Sequence, residues 1–120
     1  MQNQNYMETE DYLKISVGGR TRLFSKDVAY FEADMNYTII HYTIGNSKIV
    51  ATTLGRIQER ILDKNTFVRP NRKYLINVAF INNFLQDNLL LQNQLQIHIS
   101  RRRKVSVIPV VEDYLANKNE

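Results

Sequence analysis

The chain alternates apolar and polar residues over short stretches and turns to a helical period in only two places. Leu13, Ile15 and Val17 fall on one side of residues 12–17, with Tyr12, Lys14 and Ser16 on the other, which is the pattern of a half-buried strand. Gly18-Gly19 supplies the residues tolerant of positive φ that a two-residue hairpin turn needs, and residues 20–24 return as the partner strand. Residues 28–33 and 37–44 are rich in aromatic and β-branched side chains and are separated by the polar turn Asp34-Met35-Asn36. Gly45-Asn46 makes the next turn, before a short strand over 48–51. The period then becomes helical. Leu54, Ile57 and Ile61 share one face behind Thr53, an N-cap candidate, and residues 54–62 are predicted to form an amphipathic helix.

Pro70 lacks a backbone donor and sits among polar neighbours, which excludes a central strand over 69–73 and puts those residues on a loop or a single helical turn. Residues 74–76 and 78–81 read as buried. Residues 84–91 and 95–99 are predicted to pair as a hairpin across Asn93-Gln94. Ser100 is an N-cap candidate for a last helix that turns Val105, Ile108 and Leu115 inward, with a kink or break near residue 108 caused by Pro109. A chain of 120 residues fits one domain with one sizeable core. That domain is expected over residues 11–116, between a flexible lead at 1–10 and a flexible tail at 117–120. The fold class is mostly β with short helices.

Charge sharpens this picture. Residues 1–65 hold eight bases and eight acids and are neutral. Between Arg69 and Lys104 lie seven cations, Arg69, Arg72, Lys73, Arg101, Arg102, Arg103 and Lys104, against the single acid Asp87. Such asymmetry is the footprint of a polyanion binder. If residues 101–104 open a helix, their cations oppose the helix dipole, which places about +0.5 charge there and disfavours each added cation by ~0.3–1 kcal/mol. An anion docked on that turn would reverse the sign. If the same residues extend the preceding strand, no conflict exists. Arginine predominates in both clusters, and its planar fork fits the O6 and N7 edge of guanine as well as phosphate. A membrane helix would need a broad apolar face opposite the charges, so membrane docking is the weaker reading.

Catalysis finds little support. His41 and His98 are far apart on strand patterns, no Gly-rich loop or nucleophile motif is present, and no cofactor or metal is expected. The absence of Cys removes thiol chemistry and disulfides, and without an apolar leader the default setting is cytoplasmic.

The phrase Phe67-Val68-Arg69-Pro70-Asn71-Arg72-Lys73-Tyr74-Leu75-Ile76-Asn77, the Ile81 position and Ile99-Ser100-Arg101-Arg102-Arg103 together resemble the LytTR family of bacterial DNA-binding domains. Val28-Ala29-Tyr30-Phe31-Glu32-Ala33-Asp34-Met35-Asn36-Tyr37 and the helix opening Thr53-Leu54 match it too, so the resemblance runs from about Leu13 to Leu115. It implies small sheets stacked into an elongated sandwich without a helix-turn-helix, whose edge loops enter successive major grooves of bent DNA at promoter direct repeats. It also implies a transcriptional regulator, with dimerisation on DNA or with another regulator as an option. By the same resemblance the base contacts fall at Tyr37, Asn71, Arg72, Lys73 and Arg102. Phosphate contacts are expected at Arg69, Ser100, Arg101, Arg103 and Lys104. The chain departs from the family in the middle motif, where Pro70-Asn71-Arg72-Lys73 stands in place of the usual His-Arg-Ser. In many relatives the domain is the output half of a response regulator. The short lead and initial Met of this chain favour a stand-alone regulator. An alternative function class is a LytTR-like interaction module that binds an acidic partner or antagonises a related regulator, and RNA binding is a third, weaker option.

Overall fold

The alternating stretches fold into three small antiparallel sheets, described in a computed structural model for residues 14–18 and 22–118. Strand β1 (Lys14–Ser16) pairs with β2 (Arg22–Phe24). A five-stranded sheet contains β3 (Val28–Asp34), β4 (Tyr37–Tyr42), β5 (Lys48–Val50), β6 (Phe67–Val68) and β7 (Tyr74–Asn77), in the spatial order β5-β4-β3-β7-β6. Strands β8 (Ile81–Leu85), β9 (Asn88–Leu91) and β10 (Gln96–His98) form a three-stranded meander. The helices are α1 (Leu54–Arg60) and α2 (Lys104–Lys118), with single 3-10 turns at Ser25–Asp27, Val78–Phe80 and Arg101–Arg103. Five strands separate α1 from α2, so the described residues contain no helix-turn-helix. The expected mostly β architecture is present.

The five-stranded sheet lies between two cores because successive residues of its strands point to opposite faces. Tyr30 and Ile76, partners across β3 and β7, join Ile81, Leu89, Leu91, Ile97, Val107 and Val111 in the core beneath the meander and α2. The next pair, Phe31 and Leu75, turns the other way and packs with Ile15, Val17, Leu23, Leu54 and Ile57 under the hairpin and α1. Phe31 and Ile76 are fully buried, and burying a side chain of that size contributes roughly 1.5–3 kcal/mol. Asn77, buried among them, is satisfied: its Nδ2 donates to the Val28 carbonyl at 2.9 Å and its Oδ1 accepts from Ala79 N at 3.0 Å.

Several expectations from the sequence change here. The β1–β2 register pairs Lys14 with Phe24 and Ser16 with Arg22, and the turn expected at Gly18-Gly19 runs into residues 19–21, outside the described residues. Gly18 itself, at φ 115°, leaves no room for a Cβ, which would collide with the Thr52 hydroxyl. Leu13, Gly19, Arg20 and the lead at 1–10 lie outside the described residues. The run 84–91 is not one strand, because a turn at Gln86-Asp87, with Gln86 at φ 57°, splits it into the end of β8 and all of β9. The second half of the expected hairpin, β9 against β10, is present. Helix α1 ends at Arg60, and Leu62 beyond it is exposed. Thr53 caps it, its hydroxyl accepting from Arg56 N at 3.4 Å. In α2 the buried positions are Val107 and Val111, whereas Val105 is exposed. At about 100° per residue, Val105 lies roughly 200° around the helix from Val107. Ile108 and Leu115 pack against the core as expected. The helix is unbroken at Pro109, and α2 runs to Lys118, into the segment expected to be tail.

Candidate nucleic-acid interface

The antiparallel pairing fixes which ends of the strands meet. Asp34 pairs with Tyr37 and Glu32 with Tyr74, so the turn Met35-Asn36 and the loop 69–73 emerge from the same end of the five-stranded sheet. Ala33 N donates to the Lys73 carbonyl at 2.7 Å and extends that contact into the loop. The second basic cluster joins from the meander: Ser100 N donates to the Pro70 carbonyl at 2.9 Å, and Asn71 Nδ2 to the His98 carbonyl at 2.8 Å. The two clusters, about thirty residues apart in the chain, thereby form one surface with the 35–37 turn beside it.

Inside the loop the side chains have separate jobs. Arg69 is half-buried, and its guanidinium donates to the Asn71 carbonyl (3.1 Å), to Gln58 Oε1 (2.7 Å) and to the Arg72 carbonyl (2.9 Å). Burial, and then the neighbouring Arg103 charge, lower its pKa. Those acceptors occupy three of the five N–H donors of the guanidinium, at a residue expected to contact phosphate. Asn71 is also occupied at both ends of its amide, since Oδ1 accepts from Lys73 N at 2.8 Å and Tyr74 N at 3.2 Å while Nδ2 reaches His98. Such an Asx turn shapes a loop that no strand ladder supports. Arg72 is exposed and its side chain has no partner among the described residues. Lys73, also exposed, lies 3.5 Å from Glu32 Oε2.

In the second cluster Arg103 N donates to the Ser100 carbonyl at 3.0 Å, so residues 101–103 are helical and the extended-tail reading is excluded. The cations therefore occupy the first turns of a helical segment with no acid among them, opposing its dipole. Ser100 stands at the N-cap position, but its hydroxyl makes no capping bond. Arg101 and Arg102 are exposed and without partners among the described residues. Arg103 is half-buried, with its side chain 3.5 Å from the Arg69 carbonyl. Lys104 pairs with Asp87 at 3.1 Å, and Asp87 also accepts from Ile99 N through its carbonyl, so the lone acid of the region braces the cluster. Tyr37 (52% exposed) and Met35 (92% exposed) border the surface from the adjoining turn.

Sequence reasoning missed Glu32, Asp87 and Met35 as parts of this surface. Only Met35 carried a signal, a large apolar residue in a polar turn. Among the described residues there is no cluster of three His, Cys, Asp or Glu able to hold a metal ion, and no helix long and apolar enough to cross a membrane.

Comparison with known proteins bears on the fold and the family. The solved LytTr DNA-binding domain of a methyl-accepting/DNA response regulator from Bacillus cereus shares the fold, with a TM-score of 0.63 at 17% sequence identity over 84% of this chain and 96% of that one. No curated protein matches the chain. The model of the LytTr DNA-binding domain matches residues 19–108, a span that holds the 35–37 turn and both basic clusters; the chain belongs to this non-catalytic family of DNA-binding domains.

Proposed function

We propose that this chain is a cytoplasmic, sequence-specific transcriptional regulator, the DNA-reading part of a response-regulator-type system, that recognises direct repeats in double-stranded promoter DNA. The observation that carries this reading is the joining of loop 69–73 to the 101–103 turn through Ser100–Pro70 and Asn71–His98, with Arg72, Arg101 and Arg102 exposed and unpartnered among the described residues. Arg72 and Arg102 are assigned to guanine edges, with Tyr37 and Lys73 beside them at bases. Arg101, Arg103, Lys104 and the Ser100 hydroxyl are assigned to phosphate, where an anion at the helical N-terminus offsets the dipole conflict. Arg69 and Asn71 move from contact residues to the scaffold of the loop. Loops standing at one edge of the sheet stack are suited to successive major grooves of a bent duplex.

Selection of bound duplexes from a random pool, followed by titration over a salt series, tests the proposal. The expected outcome is enrichment of a repeated motif and a slope of log affinity against log salt of about −2.7 or steeper, as the three cations assigned to phosphate require. A slope near zero, or a pool that stays random, overturns it, and binding to an acidic protein with promoter DNA unshifted would point to the interaction-module class instead.

A further inference from the structure

Lys73 is held from behind. Its Nζ lies 3.5 Å from Glu32 Oε2, while the other carboxylate oxygen, Oε1, lies 2.8 Å from His41 Nε2. His41 in turn stacks on Tyr30, a largely buried ring, at 4.3 Å between centroids. Tyr30, Glu32 and His41 share one sheet face, since Tyr30 pairs with His41 and Glu32 is two residues along β3. The ammonium of Lys73 also sits 5.7 Å from the centre of the Tyr74 ring. The result is a chain of supports that starts in the core at Tyr30 and ends at an exposed cation of the DNA-facing loop. Stability does not account for it, because an ion pair whose Lys side chain is 58% exposed contributes little. A carboxylate at this surface also repels a polyanion, so its placement needs another reason.

We infer that Glu32 is a positioning and specificity-determining residue, which holds Lys73 in an ion pair so that its ammonium meets a base edge rather than whichever phosphate is nearest. The inference rests on the DNA-binding reading above. A lysine ammonium is a compact charge on a flexible four-carbon stem with no planar fork to fix its direction, so an unrestrained Lys73 would bind any phosphate within reach. Glu32 restricts it in two ways: it fixes the direction of the stem, and its negative charge makes close approach of phosphate to that spot unfavourable. His41 keeps the carboxylate from rotating away. Affinity for DNA in general is reduced so that discrimination between duplexes rises, the division expected when contact to bases and contact to backbone compete for one side chain.

The test is a double-variant cycle. Glu32→Gln keeps the shape and leaves an oxygen for His41 while it removes the charge; Lys73→Ala removes the held group; the third protein carries both changes. Each is titrated over a salt series against random-sequence duplex and against the duplex recovered by selection, beside a thermal melt. Glu32→Gln should bind random duplex about fivefold more tightly, with a salt slope steeper by about 0.9, the value for one added phosphate contact. Its preference for the selected duplex should fall. Both changes should vanish when Lys73 is Ala. If the wild type shows salt-dependent binding but Glu32→Gln leaves slope and preference unchanged, or shifts only the melting temperature, Glu32 is structural and this inference fails alone. Persistence of the effects with Lys73→Ala would also overturn it, since the charge would then act without Lys73. A wild type with no salt-dependent binding to DNA overturns the DNA reading and this inference together.

Discussion

In the loop 69–73, Arg69, Asn71 and Lys73 are each held by hydrogen bonds or an ion pair, while in the 101–103 turn Arg101 and Arg102 have no partner among the described residues. The difference follows from how each segment gets its shape. A helical turn is defined by its own backbone bonds, here Arg103 N to the Ser100 carbonyl, so its side chains are left for a ligand. A loop between two strands has no such ladder and must be shaped by side chains, which are then no longer available. The number of cations in a cluster is therefore not the number left for a ligand. Of the first cluster's three cations only Arg72 is without a partner among the described residues, whereas the second leaves two of its four, Arg101 and Arg102, without one.

The largest effect that would break this comparison is on folding. Asn71→Ala removes three hydrogen bonds, to Lys73 N, Tyr74 N and the His98 carbonyl, and at about 1 kcal/mol each the domain should lose roughly 3 kcal/mol. Denaturant unfolding of the variant beside the wild type reads this directly. A loss below about 0.5 kcal/mol would mean that water replaces the Asx turn and that the loop is shaped by Arg69 alone.

That division of labour could not be read from the sequence, for a definite reason. Arg69 and Arg72 are the same residue type three positions apart, and what separates them is Gln58 and the loop carbonyls, which reach Arg69 only after folding. The partner of Asn71, His98, is likewise brought in by the meander. Features that depend on near neighbours were legible: the aromatic and β-branched runs of β3 and β4, the Thr53 cap and the loop at Pro70. The Gln86-Asp87 turn was not, since Gln86 takes φ 57° without the Gly or Asn that usually marks such a residue. In α2 only Val105 was misplaced, because the face that Val107 and Val111 bury is set by the sheet packed against it.

A second, smaller effect concerns recognition. Arg72→Ala and Arg102→Ala should each weaken binding to the selected duplex by ~1–3 kcal/mol and binding to random duplex by much less, with melting temperatures unchanged because neither side chain has a partner among the described residues. The two variants sharpen the comparison, since they take one exposed arginine from each cluster. Equal losses on both duplexes for Arg102→Ala but not Arg72→Ala would leave base reading to the loop and give the helical turn phosphate contacts only.

The smallest effect has the most informative sign. Arg101 is exposed, has no side-chain partner among the described residues, and stands in a helical first turn beside Arg102 and Arg103, where the dipole disfavours it by ~0.3–1 kcal/mol. Arg101→Gln keeps a side chain of similar polarity and removes the charge. The folded state should therefore be unchanged or gain a few tenths of a kcal/mol, while DNA binding weakens and the salt slope becomes shallower by about 0.9, the loss of one phosphate contact. Opposite shifts in the two measurements are what an anion-compensated turn requires, because the charge that costs stability in the free protein is the charge that binds. A thermal melt and a salt-series titration on the same preparation decide it. If Arg101→Gln is destabilised, the cation is serving the fold, and the contrast between a self-braced loop and an open helical turn no longer holds.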